Sequence, residues 1–222
     1  MILLLSDCKK NEKNTLIPPS IVSDIDGNIY HTVTIGTQVW MVENLNVTHY
    51  SNGDTIANIT SYFKWRNSKS GAYCNYKNDV KNSIDYGKLY NWYAVSDSRK
   101  IAPPGWHIPS EFEWNVLMNY LGGEKIAGGK LKETGLKHWR NTNLDVTNES
   151  GFTALPAGEI DTDGDFRGIG LYTSWWSSSE TYPHIVHIRS VGSQNNEVTR
   201  NTYTFIGALS VRCIWDQSNS TP

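Results

Sequence analysis

Trp175 and Trp176 stand side by side in the run Trp175-Trp176-Ser177-Ser178-Ser179-Glu180, and this adjacency constrains the fold more than any other feature of the chain. The run lies between a Leu155-Pro156-Ala157-Gly158 turn and a closing strand, Ala208-Leu209-Ser210-Val211-Arg212-Cys213-Ile214-Trp215. Successive side chains of a strand point to opposite faces. One indole is therefore expected in a core and the other against solvent or a ligand.

A chain of 222 residues is long enough to bury a real core, and one domain is expected. The 20 Lys and Arg against 22 Asp and Glu give a formal charge of −2, so no global basic field draws in a phosphate backbone. Nucleic acid is not an expected partner. A hydrophobic content of 38% with 18 Gly and 8 Pro points to a loop-rich β or α+β fold rather than a helical bundle. Aromatic usage is skewed, with 9 Trp and 12 Tyr against 5 Phe. Trp and Tyr carry a polar tip on an apolar body, which suits partly wet binding surfaces as well as cores.

Asp26-Gly27-Asn28 is turn chemistry, residues 30–35 alternate, and Gly36-Thr37-Gln38 turns again before an extended stretch to Leu45. That pattern predicts a hairpin. Over residues 85–98 the period changes, and Tyr86, Leu89, Tyr90, Tyr93 and Ala94 predict one face of a helix. A second helix is predicted after Pro109, with Ser110 as N-cap, Glu113 completing a capping box and Trp114, Leu117, Met118 and Leu121 as its apolar face. Gly122-Gly123 ends it. Between the helices, the prolines of residues 102–109 make a rigid connector. From Gly123 to Trp215 the sequence reads as short strands and glycine turns.

The N-terminal run Met1-Ile2-Leu3-Leu4-Leu5-Ser6-Asp7-Cys8 is too short to span a bilayer. It looks like the end of a bacterial lipoprotein signal (residues 1–8), with Cys8 as the lipidation site and residues 9–25, containing Pro18-Pro19, as a linker. Asp7 and the missing basic region depart from that pattern, and an ordinary exported or cytosolic chain start is the alternative. The expected location is the bacterial envelope, as an outer-membrane or cell-surface lipoprotein meeting the membrane through its lipid only. In an exported protein Cys74 and Cys213 form a possible disulfide, which would stabilise by about 4 kcal/mol in the chain-entropy model. Two buried free thiols are the equally open alternative.

The opening run from Gly27 to Asn46, the Leu155-Pro156-Ala157-Gly158 turn, the double tryptophan and Arg212-Cys213 occur in an order that resembles the Fibrobacter succinogenes major paralogous domain family. The resemblance covers residues 26–216 and leaves residues 217–222 as a tail. The stretch from Gly207 to Cys213 is also similar to the closing strand of the formylglycine-generating-enzyme branch of the C-type lectin-like fold. What these resemblances imply is an α+β, C-type lectin-like fold with two helices and a mixed, mainly antiparallel sheet with long loops. Its termini would pair, and residues 161–172 and 190–204 would form a ligand surface.

Asp161-Thr162-Asp163-Gly164-Asp165 is the most metal-like stretch, but its glycine and its Tyr172 fall at the wrong places for an EF-hand. A hairpin turn is the economical reading, and no metal or cofactor is expected. His184 and His187 read as strand residues facing opposite sides, unable to share a zinc ion. The formylglycine-generating reaction needs two nearby late cysteines, and Cys213 stands alone there. Glu43 with Asp54, or His107 with Glu111, offer acid–base pairs that nothing in the sequence brings together. The chain is therefore expected not to be an enzyme.

Tyr172, Trp176, Asn195, Asn196, Arg200 and Tyr203 are the expected ligand-binding residues. They mix flat apolar faces with amide and guanidinium donors, a combination suited to saccharide or protein surfaces. Trp65 and Trp139 could equally be exposed. The expected function is non-enzymatic binding of a glycan or protein at the cell surface. A structural or adhesin subunit of a surface assembly is the first alternative and a formylglycine-generating-type enzyme the second; oligomeric state stays open.

Overall fold

The computed structural model describes residues 18–141 and 145–216. Cys8, residues 1–8, most of the linker and the 217–222 tail lie outside the described residues.

Strands β1 (Ile21–Ser23), β2 (Ile29–Ile35), β3 (Gln38–Met41), β7 (Trp106–His107) and β13 (Ile214–Trp215) form one sheet in the order β1-β2-β3-β13-β7. The expected hairpin is β2–β3, turned at Gly36 with φ 63°. The end of the chain returns to its beginning: Ile214 pairs antiparallel with Trp40, and Trp215 with Trp106. β7 lies inside the proline-rich connector, where the prolines masked a strand that donates only two residues to the ladder.

The second sheet runs β12-β11-β10-β8-β9, from strands β8 (Ala157–Ile160), β9 (Phe166–Ile169), β10 (Tyr172–Tyr182), β11 (Ile185–Gly192) and β12 (Val198–Thr204). Only β8–β10 pairs parallel within it. A third, small sheet joins β4 (Ala57–Asn58), β5 (Ala72–Cys74) and β6 (Leu89–Tyr90). With five short helices among the described residues, the architecture is α+β and mainly antiparallel.

The helices depart from expectation in number and place. The predicted helix over residues 85–98 is instead α2 (Asn82–Tyr86), strand β6, and the single turn α3 (Trp92–Val95). Gly87 ends α2 by turning to φ 72°, and only glycine fits there because a side chain would strike the carbonyls of Asn44 and Leu45. Asn91 then caps α3 by accepting the Ala94 amide. With α1 (Tyr62–Asn67) placed before β5, α4 (Glu111–Tyr120) is the helix predicted after Pro109. It carries the full capping box between Ser110 and Glu113 and buries Trp114, Leu117 and Met118. A further helix, α5 (Glu124–Leu131), occupies sequence that reads as glycine turns. Its Gly128-Gly129 pair is a docking notch: a Cβ at Gly128 would sit 2.8 Å from the Asn196 carbonyl oxygen, and the Gly128 amide donates to that oxygen at 2.8 Å.

Both tryptophans are fully buried, which corrects the expectation that one ring is free. They do face opposite sides of β10, but each side has its own core. Trp175 packs with Trp40, Trp114, Phe152, Val191 and Val198. Trp176 packs with Trp92, Tyr90, Ile188, Leu209 and Val211. Trp65 and Trp139 are buried too, their indole N–H groups donating to the carbonyls of Ile206 and Ala154. Cys74 and Cys213 are buried free thiols in separate clusters.

Candidate functional site

A concavity of about 760 Å³ opens on one face of the second sheet. The register explains its composition. Ser174 of β10 pairs with Ser190 of β11, which pairs with Thr199 of β12. Because side chains alternate, Tyr172, Ser174, Ser190, Thr199, Asn201 and Tyr203 all reach this face. Residues 192–195 and Glu197 wall one end. The surface is hydroxyl- and amide-rich, and the Ser174 and Ser190 hydroxyls lie 2.9 Å apart on its floor.

Glu159 of β8 also lines the concavity and is only 8% exposed. Its Oε1 accepts hydrogen bonds from the Tyr203 hydroxyl at 3.2 Å and the Tyr172 hydroxyl at 3.4 Å. Burial pushes the Glu159 carboxyl above its ordinary range, and hydrogen bonds from Ser174, Tyr203 and Tyr172 offset this only in part. Both tyrosine rings lie on glycines. A Cβ at Gly207 would stand 2.1 Å from the Tyr203 ring, and one at Gly168 2.3 Å from the Tyr172 ring. Burial also raises the two phenols, so they remain donors.

The wall at residues 192–195 is held from beneath. Lys132, fully buried, donates to the carbonyls of Gly192 at 3.0 Å and Asn195 at 2.7 Å. Burial brings its pKa down to about 8. Together with the Gly128 amide on Asn196, this fixes the β11–β12 connection against α5, so the groove is formed before any ligand arrives.

The structure brings Tyr172, Asn195 and Tyr203 together at the groove and places the other three expected residues elsewhere. Trp176 lies beneath it, its ring meeting Tyr203 edge-on at 6.0 Å, with its N–H on the Tyr90 carbonyl. Asn196 is turned into the α5 notch. Arg200 points to the opposite face, where its Nε lies 2.6 Å from Glu111 Oε1. The reason is parity: Arg200 pairs with Arg189, and both lie on the face covered by α4. Glu159 and the two central serines escaped notice in the sequence. A period-2 reading of β10 against β11 would have found Ser174 and Ser190, whereas Glu159 lacks a local signal.

The other candidates resolve into structural roles. Asp161 accepts the amides of Asp163 and Asp165 and pairs with Arg167, closing the β8–β9 turn as expected. His184 lies in the β10–β11 turn at φ 67°, and His187 is on β11. His107 is held between Glu113 at 2.7 Å and Asp216 at 2.5 Å, while Glu111 pairs with Arg189 and Arg200. Glu43 pairs with His31 and Asp54 with Arg99. No helix among the described residues is long and apolar enough to cross a membrane.

Residues 33–215 match the family model of the Fibrobacter succinogenes major domain, and the chain belongs to that family. No curated protein and no solved structure matches it significantly.

Proposed function

We propose that this family member is a non-enzymatic binding module whose ligand is a saccharide seated in the groove of β10, β11 and β12. One observation carries the reading: a preformed, hydroxyl-lined concavity around the buried carboxyl of Glu159, with tyrosines on its sides. Serine, threonine and asparagine groups offer both donors and acceptors to a polyhydroxyl ligand, and the tyrosines add flat contact at small entropic cost. A C-type lectin-like fold accords with the paired termini and the two sheets. We place the protein at the bacterial cell surface, anchored through Cys8.

Two groups that the sequence offered for chemistry, His107 and Cys213, are committed elsewhere, which favours binding over catalysis. The His107 nitrogens are both on carboxylates. Cys213 is fully buried, and burial pushes its thiol far up. A subunit of a surface assembly is the second reading, favoured by the exposed Ile21, Ile25 and Ile29 around the first hairpin.

Glycan-array screening tests the proposal. Thr199→Ala combined with Asn201→Ala removes two groove-facing polar groups at positions that are not core, and should weaken saccharide binding by about tenfold, the effect of losing 1.4 kcal/mol of hydrogen bonding. Arg200→Ala, on the opposite face, should leave binding unchanged. Saccharide binding lost with Arg200→Ala but kept in the double variant would place the site on the helix-covered face and refute the assignment.

A further inference from the structure

We infer that the groove selects an amino sugar, a saccharide carrying a free ammonium group, with the ammonium seated against Glu159. The inference rests on the saccharide-binding reading above and specifies the ligand class.

Charge is the first argument. Among the described residues lining the groove, Glu159 and Glu197 are acidic and none is Lys or Arg. Two cations on neighbouring elements are already engaged. Arg167, opposite Glu159 in the β8–β9 register, is paired with Asp161 and Asp165. Lys132 lies under the wall and gives its hydrogens to the carbonyls of Gly192 and Asn195. Among the described residues, Glu159 thus has phenol partners for Oε1 but no ion pair of its own, although it is 8% exposed. A buried carboxylate without a cation is costly, and an arriving ammonium relieves that cost with a charge-assisted hydrogen bond.

Aromatic placement is the second argument. Tyr172 and Tyr203 reach Glu159 from β10 and β12, so an ammonium at the carboxylate comes up beside two electron-rich rings. The hydroxyls of Ser174, Ser190 and Thr199 continue away from that point along the groove, where the sugar hydroxyls of the same ligand would lie. An acetylated nitrogen loses the charge, and a uronate brings a third carboxylate to a site that already holds those of Glu159 and Glu197.

Isothermal titration of the full chain with three trisaccharides of one linkage tests this: a glucosamine trimer, its N-acetylated form and a hexuronate trimer. The glucosamine trimer should bind about tenfold tighter than the acetylated one, the worth of one charge-assisted bond over a neutral one. The uronate should bind weakest. Glu159→Gln, which keeps the shape and an acceptor for the tyrosines, should shrink the preference to about twofold while binding of the acetylated trimer persists. Equal or tighter binding of the acetylated or uronate trimer through the groove overturns the amine selectivity and leaves the saccharide reading standing. Binding of none of the three overturns the selectivity, and an array on which no other saccharide binds then removes the saccharide reading as well. An amine preference that survives Glu159→Gln also overturns the seat assigned here.

Discussion

At the scale of single residues, buried polar groups hold the two sheets in register. Arg212 is 1% exposed and has no carboxylate partner among the described residues; it donates instead to Asn44 Oδ1 and the carbonyls of Met41, Val42 and Phe152. Burial lowers its pKa to about 9, and its guanidinium lies over the Phe152 ring at 4.3 Å. Asn44 Oδ1 also accepts the Trp175 indole N–H at 2.8 Å. One amide oxygen therefore ties β10 of the second sheet to the segment that leads into β13 of the first. Asn44→Ala should destabilise by about 3 kcal/mol, because it leaves an indole N–H and part of a buried guanidinium unpaired. Chemical denaturation checks it; a loss below about 0.5 kcal/mol, the scale of an ordinary surface change, contradicts this role. Here the sequence was legible in part. Trp175 and Arg212-Cys213 stood out as fold markers, but their shared partner Asn44 lies in the first hairpin region, and chain separation hid it. Trp176 was misassigned because strand parity says that two faces differ without saying that both are covered.

Among the elements, α4 shows how a local signal becomes a global tie. Ser110 and Glu113 cap the helix reciprocally, and the same Glu113 carboxylate accepts from His107 on β7, whose other ring nitrogen meets Asp216 just past β13. The Glu113 hydrogen bond raises the His107 pKa above 6.5, outweighing burial, with Asp216 adding to it. Burial alone would raise Glu113, but His107 and the Ser110 amide and hydroxyl bring it below 4.5. The signs define a window. The histidine contribution is complete below pH 6.5 and fades as pH rises through its raised value; the Glu113 contribution is complete above pH 4.5 and fades as pH falls through its lowered value. His107→Gln should therefore cost most between those limits, about 1 kcal/mol for so exposed a pair, and progressively less toward alkaline pH. Denaturation of both proteins across pH checks it, and a difference that grows above neutrality contradicts the arrangement. The capping box was readable because it is contained in four consecutive residues. α5 was not, since Gly128-Gly129 reads as a breaker until Asn196 is seen lodged against it.

For the whole molecule, the fold turns a polar sheet face into a groove by covering the opposite face with α4 and α5 and fastening the β11–β12 connection through Lys132. Of the stretches expected to form a late ligand surface, residues 161–172 and 190–204, Tyr172, Asn195 and Tyr203 line this groove. Its chemical centre, Glu159, comes from a strand outside those stretches, placed by the β8–β10 pairing that no local pattern encodes. The central claim is that this groove is where the protein meets its ligand. Amide chemical-shift mapping of the full chain, titrated with the tightest-binding saccharide, tests it most directly. The largest shifts should fall on Ser174, Ser190, Thr199, Asn201 and the amides of residues 192–195, with Glu159 among them. Shifts concentrated instead around His107 and Phe112, or around Ile21 and Ile29, would contradict it.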